Sequence, residues 1–435
     1  MQNRQKTNTF DIWIGIDWAD SKHDVCVYDG TSYENSILIN DPVHLQAWAA
    51  DLESQFPGQS LAVAIENANG GIGEFLKQTD FHLFPINPQS FKQYRKAFRV
   101  SSAKNDPSDA RLLCEYLHKN VDRCREQASA SAPIRKLKAL SIARRHAVDE
   151  RTAVTNRMKD LLKSYYPQAL TLSGQDIHRR MACDFLEKWP TFQKIQAADS
   201  DAIAKFYRQH NCRKKQVIAN RLQLIRQSCP LSDDEALLSV AELKIVALVR
   251  QLRALNETID QFNDAIQETA EQVPRASVFE TVPGIADTMR ARLTVAFGEA
   301  ENTCKTALDL QCKTGIAPVT VQSGNTHVVH QRYACNNFER QTFVEFANLS
   351  IMHSVWARAF YNMKIAKGAD HHVAIRALAF KWQRVLYACW KNNTPYSEAH
   401  YVKRLQEKQS PVVKYFDTID EKANKWLRNL KNALA

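Results

Sequence analysis

Two apolar runs in the first seventy residues each end in a carboxylate. DIWIGIDWA closes around Asp17, and LAVAIEN closes on Glu66. The first alternates as a half-buried strand does, and the second is continuous, as expected of a central strand covered on both faces. A carboxylate directly after such a strand lies at the rim of a core, where it is costly without a partner or a cation. The chain must therefore build a layered sheet whose strand ends open onto a polar site. HDVCVYD follows as a second strand and SILIN suits a third. A helix runs from Asp41-Pro42 to about Phe56, Gly70 and Gly71 open another, and FHLFPIN gives a further strand ending at Pro88. Two hairpin-like strands, a third, then strands alternating with helices are the order of an RNase H-like sheet. The expected fold class is α/β for residues 10–120 and all-α beyond.

Residues 89–165 read as helical and basic. Phe91, Tyr94 and Phe98 share one helical face, and Lys92, Arg95, Lys96 and Arg99 share a neighbouring one. That face is either a solvated one or a phosphate-contacting surface, to which Lys104, Arg144 and Arg145 would add. IRKLKALSIARRHAVDERTAVTNRMKDLLKSYY is a long helix with few breakers. Residues 166–234 are weakly patterned and read as an irregular helical insertion. Ile245, Leu248, Leu252, Leu255, Ile259, Phe262 and Ile266 then step by threes and fours, a heptad seam. Its partner is either the 137–165 helix or another subunit, so 121–275 is expected to be a helical, coiled-coil linker. In TVPGIADTMRARLTVAFG, an apolar-Pro-Gly-apolar turn resembles that of a helix-hairpin-helix, which would aim backbone N–H groups near Gly284 at a phosphate. KTGIAPVTVQSGNTHVVHQRY reads as loop and strand, with Arg332 a further candidate phosphate contact. The stretch from Asn337 to about Lys391 is helical, and the tail beyond Pro395 is expected to be helical and peripheral.

Charge is distributed unevenly. The net charge is +11, yet residues 1–90 hold four basic side chains against twelve acidic ones, while residues 91–165 hold eighteen against eight. An acidic front joined to a basic middle fits a site for metal cations beside a surface for a polyanion. Ten cysteines without a CxxC pair argue against zinc ribbons and disulfide frameworks. His327, His330, His371 and His372 have no ligand set around them and read as packing or phosphate contacts. No apolar run reaches membrane-spanning length, and MQNRQKTNTF lacks the apolar stretch of a signal peptide, so the expected location is cytoplasmic.

Asp106 and Asp109, in KNDPSDARLL, join Asp17 and Glu66 as candidate metal ligands, because residues three apart share a helix face. Phosphoryl transfer on nucleic acid commonly uses Mg²⁺ held by such carboxylates. The rival reading is local: Asp106 before Pro107 is a good N-cap, with Asp109 completing a capping-box-like start.

GIDWADSKHDVCVYD, AIENANGG, INP and KNDPSDARLL resemble the N-terminal, RuvC-like DEDD domain of the IS one-ten family of insertion-sequence transposases. ETVPGI, KTGIAPVTVQSGNTHVVHQRYACNNFERQTF, KGADHHVAIRALAFKW and PYSE resemble the same family's Tnp domain. The two stretches, 11–120 and about 278–400, occur in the family's order. Asn105 stands where many relatives have Thr, and ACNNFERQTF replaces a Gly-Asn…Leu-Arg segment. The resemblance implies a metal-dependent DNA transposase or site-specific recombinase, related to the Piv invertases. Asp17, Glu66, Asp106 and Asp109 would bind metal, and Ser323 would attack a DNA phosphate to form a phosphoserine link. It further implies element-end and target DNA as substrates, a bridge RNA as guide, and homodimers pairing into tetramers that associate with the nucleoid. The domains would then be 10–120 (RuvC-like), 121–275 (linker), 276–400 (Tnp) and 401–435 (tail). A RuvC-like junction resolvase, with water as nucleophile and Ser323 structural, is the alternative.

Overall fold

Gly15, in the middle of the first strand, is the point at which a helix comes down on the sheet. In this computed structural model, which describes residues 10–66, 70–98, 106–127, 130–324 and 326–419, the strands are β1 (Ile12–Asp17), β2 (Lys22–Tyr28), β3 (Tyr33–Ile39), β4 (Leu61–Ile65) and β5 (His82–Pro85). They form one sheet in the order β3-β2-β1-β4-β5. β1, β2 and β3 pair antiparallel, and β4 and β5 run parallel to β1. The helices are α1 (Pro42–Gln55), α2 (Gly71–Leu76), α3 (Pro88–Phe98) and α4 (Asp106–Asn120). The strand reading of the sequence holds throughout this mixed α/β domain.

The two faces of the sheet differ in residue size. Ile12, Ile14, Ile16, Leu61, Val63 and Ile65 pack with Leu45 and Leu52 of α1 and Ile72 and Leu76 of α2. The other face presents Trp13, Ala62 and Ala64, and packs with Phe91 of α3 and Ala110, Leu113, Cys114 and Leu117 of α4. The small residues let α4 approach closely. A Cβ on Gly15 would stand 2.0 Å from the Ala110 carbonyl oxygen and 2.5 Å from the Cys114 nitrogen. The Cys114 thiol donates to the Trp13 carbonyl at 3.2 Å.

The chain divides into two compact units, one formed by residues up to 131 with 297–310, the other by 132–296 with the rest. The second is almost wholly helical. Two long helices, α5 (Ala132–Tyr165) and α11 (Glu235–Glu271), frame it. The heptad seam finds its partner within the chain: Ile245, Val249 and Leu252 pack with Val154, Met158 and Leu162, and Ile266 with Leu137. Arg144 and Arg151 hydrogen-bond Asn263 and Asn256 across the pair. Residues 166–234 are helical, as the sequence reading expected, and they contribute to a packed core. They fold into α6 (Ala169–Leu172), α7 (Arg180–Lys188), α8 (Phe192–Gln196), α9 (Ser200–Gln209) and α10 (Lys215–Gln227). Their buried Phe185, Phe192, Phe206 and Tyr207 share one core with the long helices. The helices run from four to thirteen residues and are broken by frequent turns, so no single period extends across the segment.

Further along come α12 (Asp287–Gly298), α13 (Ala307–Lys313), the hairpin β6 (Val319–Ser323) and β7 (Thr326–His330), then α14 (Asn337–Ser350), α15 (Val355–Ala366), α16 (His371–Asn392) and α17 (Glu398–Glu407). The stretch after Pro395 is not peripheral. Tyr396 is buried, accepts a 2.7 Å bond from the Trp356 indole and donates at 2.6 Å to Glu398. Glu398 also accepts from the Ser354 hydroxyl and the Val355 N–H, capping α15. Burial raises the Glu398 carboxyl above its ordinary value, against hydrogen bonds that lower it. Among the described residues no helix is long and apolar enough to cross a membrane.

Replacing Gly15 with Ala inserts a methyl group between two backbones that cannot both retreat. The expected loss is about 3 kcal/mol of unfolding free energy in urea. A midpoint within error of the parent would show that α4 does not rest on this strand.

Candidate active site

The β1–β4 register decides where the first two acids go. Ile16 lies opposite Ile65 in a parallel pair, so Asp17 and Glu66, the next residues, leave neighbouring strands at the same level. Neighbouring strands are about 4.8 Å apart. Side chains alternate, and Trp13, Ala62 and Ala64 face α3 and α4, so Asp17 and Glu66 continue that same face. Both are half-buried. His23, fully buried on β2, steadies the chain beyond Asp17: its Nδ1 accepts a 3.3 Å bond from the Ala19 N–H. Burial pushes the His23 pKa down, consistent with a neutral, accepting imidazole.

α4 brings the third acid. Asp109 is only 2% exposed and receives a 2.6 Å bond from Arg95 Nη1 of α3. A buried carboxylate needs such a counter-charge. The sequence placed Arg95 on a phosphate-contacting face, but its guanidinium is turned to Asp109 instead. Asp109 is thus more than a capping residue. The side chain of Asp106 lies outside the described residues, as do Arg99 and Lys104. Among the described residues, no set of three or more His, Cys, Asp or Glu side chains is arranged to hold a metal ion.

The remaining basic candidates divide. Lys92 and Lys96 are exposed on α3. Arg144 bonds Asn263 at 2.5 Å, and burial with the nearby Arg151, Arg292 and Arg145 pushes its pKa down. Arg145 bridges to Glu345 at 3.2 Å, and Glu345 also takes a 2.5 Å bond from Arg292. These arginines tie α5 to α12 and α14 within the second unit. Arg332, just after β7, hydrogen-bonds the Ala317 carbonyl at 3.4 Å. Gly284 follows a short 3-10 helix, Pro274–Phe279, and precedes α12. Its φ is +78°, and a Cβ there would stand 2.4 Å from the His353 ring. The glycine is required by this packing, whatever else the turn contacts.

Ser323 ends β6 and pairs with Thr326 across the turn, where Gly324 has φ +55°. Gly324 turns as the sequence reading expected, Asn325 lies outside the described residues, and the Ser323 side chain is exposed at the hairpin tip. A hydroxyl so placed is free to meet a substrate. It belongs to the second unit and the four acids to the first. Two positions escaped the sequence reading. Gly15 could have been suspected from a glycine inside an apolar strand. The Arg95–Asp109 pair could not, since the partners are fourteen positions apart and on different helices.

For Gly284→Ala the expected cost is about 2 kcal/mol from the left-handed backbone and the His353 clash. Part of it should return in a His353→Ala background. Equal losses in both backgrounds, read by thermal unfolding, would remove the packing account.

Comparison with known proteins follows the same division of the chain. The sequence model of the DEDD transposase of IS110 elements matches residues 14–167, and that described as the transposase IS116/IS110/IS902 family matches residues 276–362. The protein named as transposase for the IS117 mini-circle of Streptomyces coelicolor is 27% identical over 395 residues, covering 89% of this chain and 95% of its own. The 44.8 kDa protein of insertion element IS116 from Streptomyces clavuligerus is 22% identical, covering 89% and 96%. The 42 kDa protein of insertion element IS900 from Mycobacterium paratuberculosis is 22% identical, covering 89% and 98%. With both family models in order on one chain, and relatives matched over nearly their whole length, this protein belongs to the IS110 (one-ten) family of insertion-sequence transposases, enzymes of DNA transposition.

Proposed function

We propose that this transposase cuts and rejoins the ends of a mobile element by attack of Ser323 on a DNA phosphodiester, assisted by the carboxylates of an RNase H-like (RuvC-like) domain at residues 10–120. The observation that carries the reading is the common level of Asp17 and Glu66 at the ends of adjacent parallel strands, on the face covered by α4. The step of α4 along β1 supports a third ligand. Cys114 lies over Trp13 and Ala110 over Gly15. Four helical residues rise about 6 Å and two strand residues about 6.6 Å, so the next step sets Asp106 over Asp17.

Oxygen donors on a rigid strand end fit a hard divalent cation that keeps part of its water, which favours Mg²⁺. Asp17, Glu66 and Asp106 would hold it, with Asp109 exchanging its bond to Arg95. When bound, it supplies positive charge for the crowded phosphoryl oxygens and for the departing one. The chain's own contribution is the nucleophile. The Ser323 Oγ–P bond forms as the P–O bond to the leaving nucleotide breaks. The hydroxyl proton departs with the attack, and the leaving oxygen gains one. The phosphoserine ester conserves the phosphodiester bond energy, so the reverse attack by a nucleotide hydroxyl rejoins DNA without ATP and regenerates serine.

In this reading the acids and the serine belong to separate domains, 10–120 and 276–400, joined by the coiled-coil and helical region 121–275 and followed by a tail at 401–435. Homodimers paired as tetramers would bring acids of one subunit to the serine of another. A bridge RNA would choose the element-end and target DNA, in the cytoplasm and on the nucleoid.

Asp17→Ala and Glu66→Ala should each abolish cleavage of element-end DNA while binding stays within about threefold, since the exposed basic groups lie elsewhere. Normal cleavage by either variant would falsify the metal-site assignment. Incubation with element-end DNA should leave a protein–DNA adduct that survives denaturation, absent in Ser323→Ala at an unchanged melting temperature. Nicked DNA released by Ser323→Ala at the parent rate would instead make water the nucleophile.

A further inference from the structure

The second unit contains a cavity of about 1250 Å³ whose lining, among the described residues, includes seven lysine and arginine side chains and not one aspartate or glutamate. Its walls come from one end of the β6–β7 hairpin and from α15, α16 and α17. Arg376, Phe380 and Arg384 follow one another at intervals of four along α16, so a single helical stripe alternates charge and ring. Lys364 stands on α15, and Arg404 and Lys408 on α17. Lys381 is the most telling member. Its ammonium lies 5.6 Å from the Trp356 ring centre and 5.1 Å from that of Phe360. None of these side chains makes an ion pair with a carboxylate among the described residues. Burial alone pushes the Lys381 pKa down, so the fold pays to keep this group where it is. A cationic cavity without internal counter-charge calls for an anionic occupant.

We infer that this cavity binds an unpaired stretch of nucleic acid, its phosphates on the lysines and arginines and its bases against the aromatic and apolar wall. The inference deepens the proposed function by giving one nucleic-acid strand a place. Phe360, Phe380, Tyr396 and Tyr401 line the same space, as do Val373 and Val385. Rings interleaved with cations are the usual composition of single-strand grooves, because every base has a face to stack. Size excludes the duplex: the volume exceeds an ordinary small-ligand pocket only slightly, and takes about three or four nucleotides of one strand. A double helix, whose major groove alone is about 12 Å wide, does not enter it. Val329 and His330 of β7 line the cavity, and β7 pairs with β6, which ends in Ser323. A strand lying here runs beside the hairpin that carries the proposed nucleophile.

The test uses the full-length protein and fluorescence anisotropy with about 12-nucleotide probes of one sequence, as unpaired DNA, as unpaired RNA and as duplex DNA. Arg384→Glu/Arg404→Glu alters two exposed side chains and should leave the melting temperature unchanged. The expected result is a loss of about tenfold or more for unpaired strands, with the slope of log affinity against log salt shallower by about 1.4. Duplex affinity should not change. Tighter binding of the RNA probe assigns the cavity to RNA, and tighter binding of DNA assigns it to a displaced DNA strand. Lys381→Met, which keeps length and loses charge, should weaken both strands without affecting the duplex. Unchanged strand affinity in the double variant, an equal loss for duplex, or displacement of the strand by polyglutamate at equal charge would overturn the inference. Ser323→Ala should bind the strands as the parent does, so failure here and failure of the serine mechanism are separately visible.

Discussion

The contact on which the front domain depends is between two backbones, where α4 rests on β1 at Gly15. No side chain fits between the Gly15 Cα and the Ala110 carbonyl. That closeness fixes the height of α4 over the sheet, and the Cys114 bond to Trp13 fixes its position along the strand. Everything chemical in the domain is measured from this contact. Asp17 lies two residues beyond Gly15, and Asp109 lies one residue before Ala110. The small Ala62 and Ala64 continue the flat face on which the helix lies. An acid pair at strand ends is only as precise as the layer that covers it, and here the layer is set by hard-sphere contact.

The electrostatics of that domain are arranged around a shortage of positive charge. Its sequence is acidic up to residue 90, with four basic side chains against twelve acidic ones, and the first cluster of cations arrives on α3. Arg95 spends its charge on Asp109, which is nearly fully buried, while Lys92 and Lys96 remain exposed. The residues of one basic helical face thus have different work. Burying a carboxylate requires a close counter-charge, and the Arg95 guanidinium supplies it through a 2.6 Å bond.

In the second unit the same distinction separates structural from available cations. Arg144, Arg145, Arg151 and Arg292 lie among Asn263, Asn256 and Glu345 and hold helices together. Around α16, Lys364 and Lys381 lie over aromatic rings, and among the described residues the cations of the cavity make no ion pair with an acid. Density of charge along the sequence would have favoured the first group, which includes the Arg144-Arg145 pair in the long helix. Partner geometry favours the second.

The sequence determined the elements and the family. Strand periods, the long breaker-free helices, the heptad seam and the two acids closing apolar runs are local patterns, and local patterns survive in the order of residues. Family motifs are likewise strings, so they mark Asp106, Asp109 and Ser323 as candidates without any fold. Only the tertiary structure decided which groups share a face. The level of Asp17 with Glu66 is a register between strands more than forty residues apart, and the Arg95–Asp109 pair depends on how two helices cross. The tail beyond Pro395 looked peripheral because burial of Tyr396 and Glu398 comes from Trp356 and Ser354, about forty residues away. The basic cavity is the extreme case, since its wall is assembled from one hairpin and three helices. Distance along a chain does not encode distance in space, and charge acts through the second.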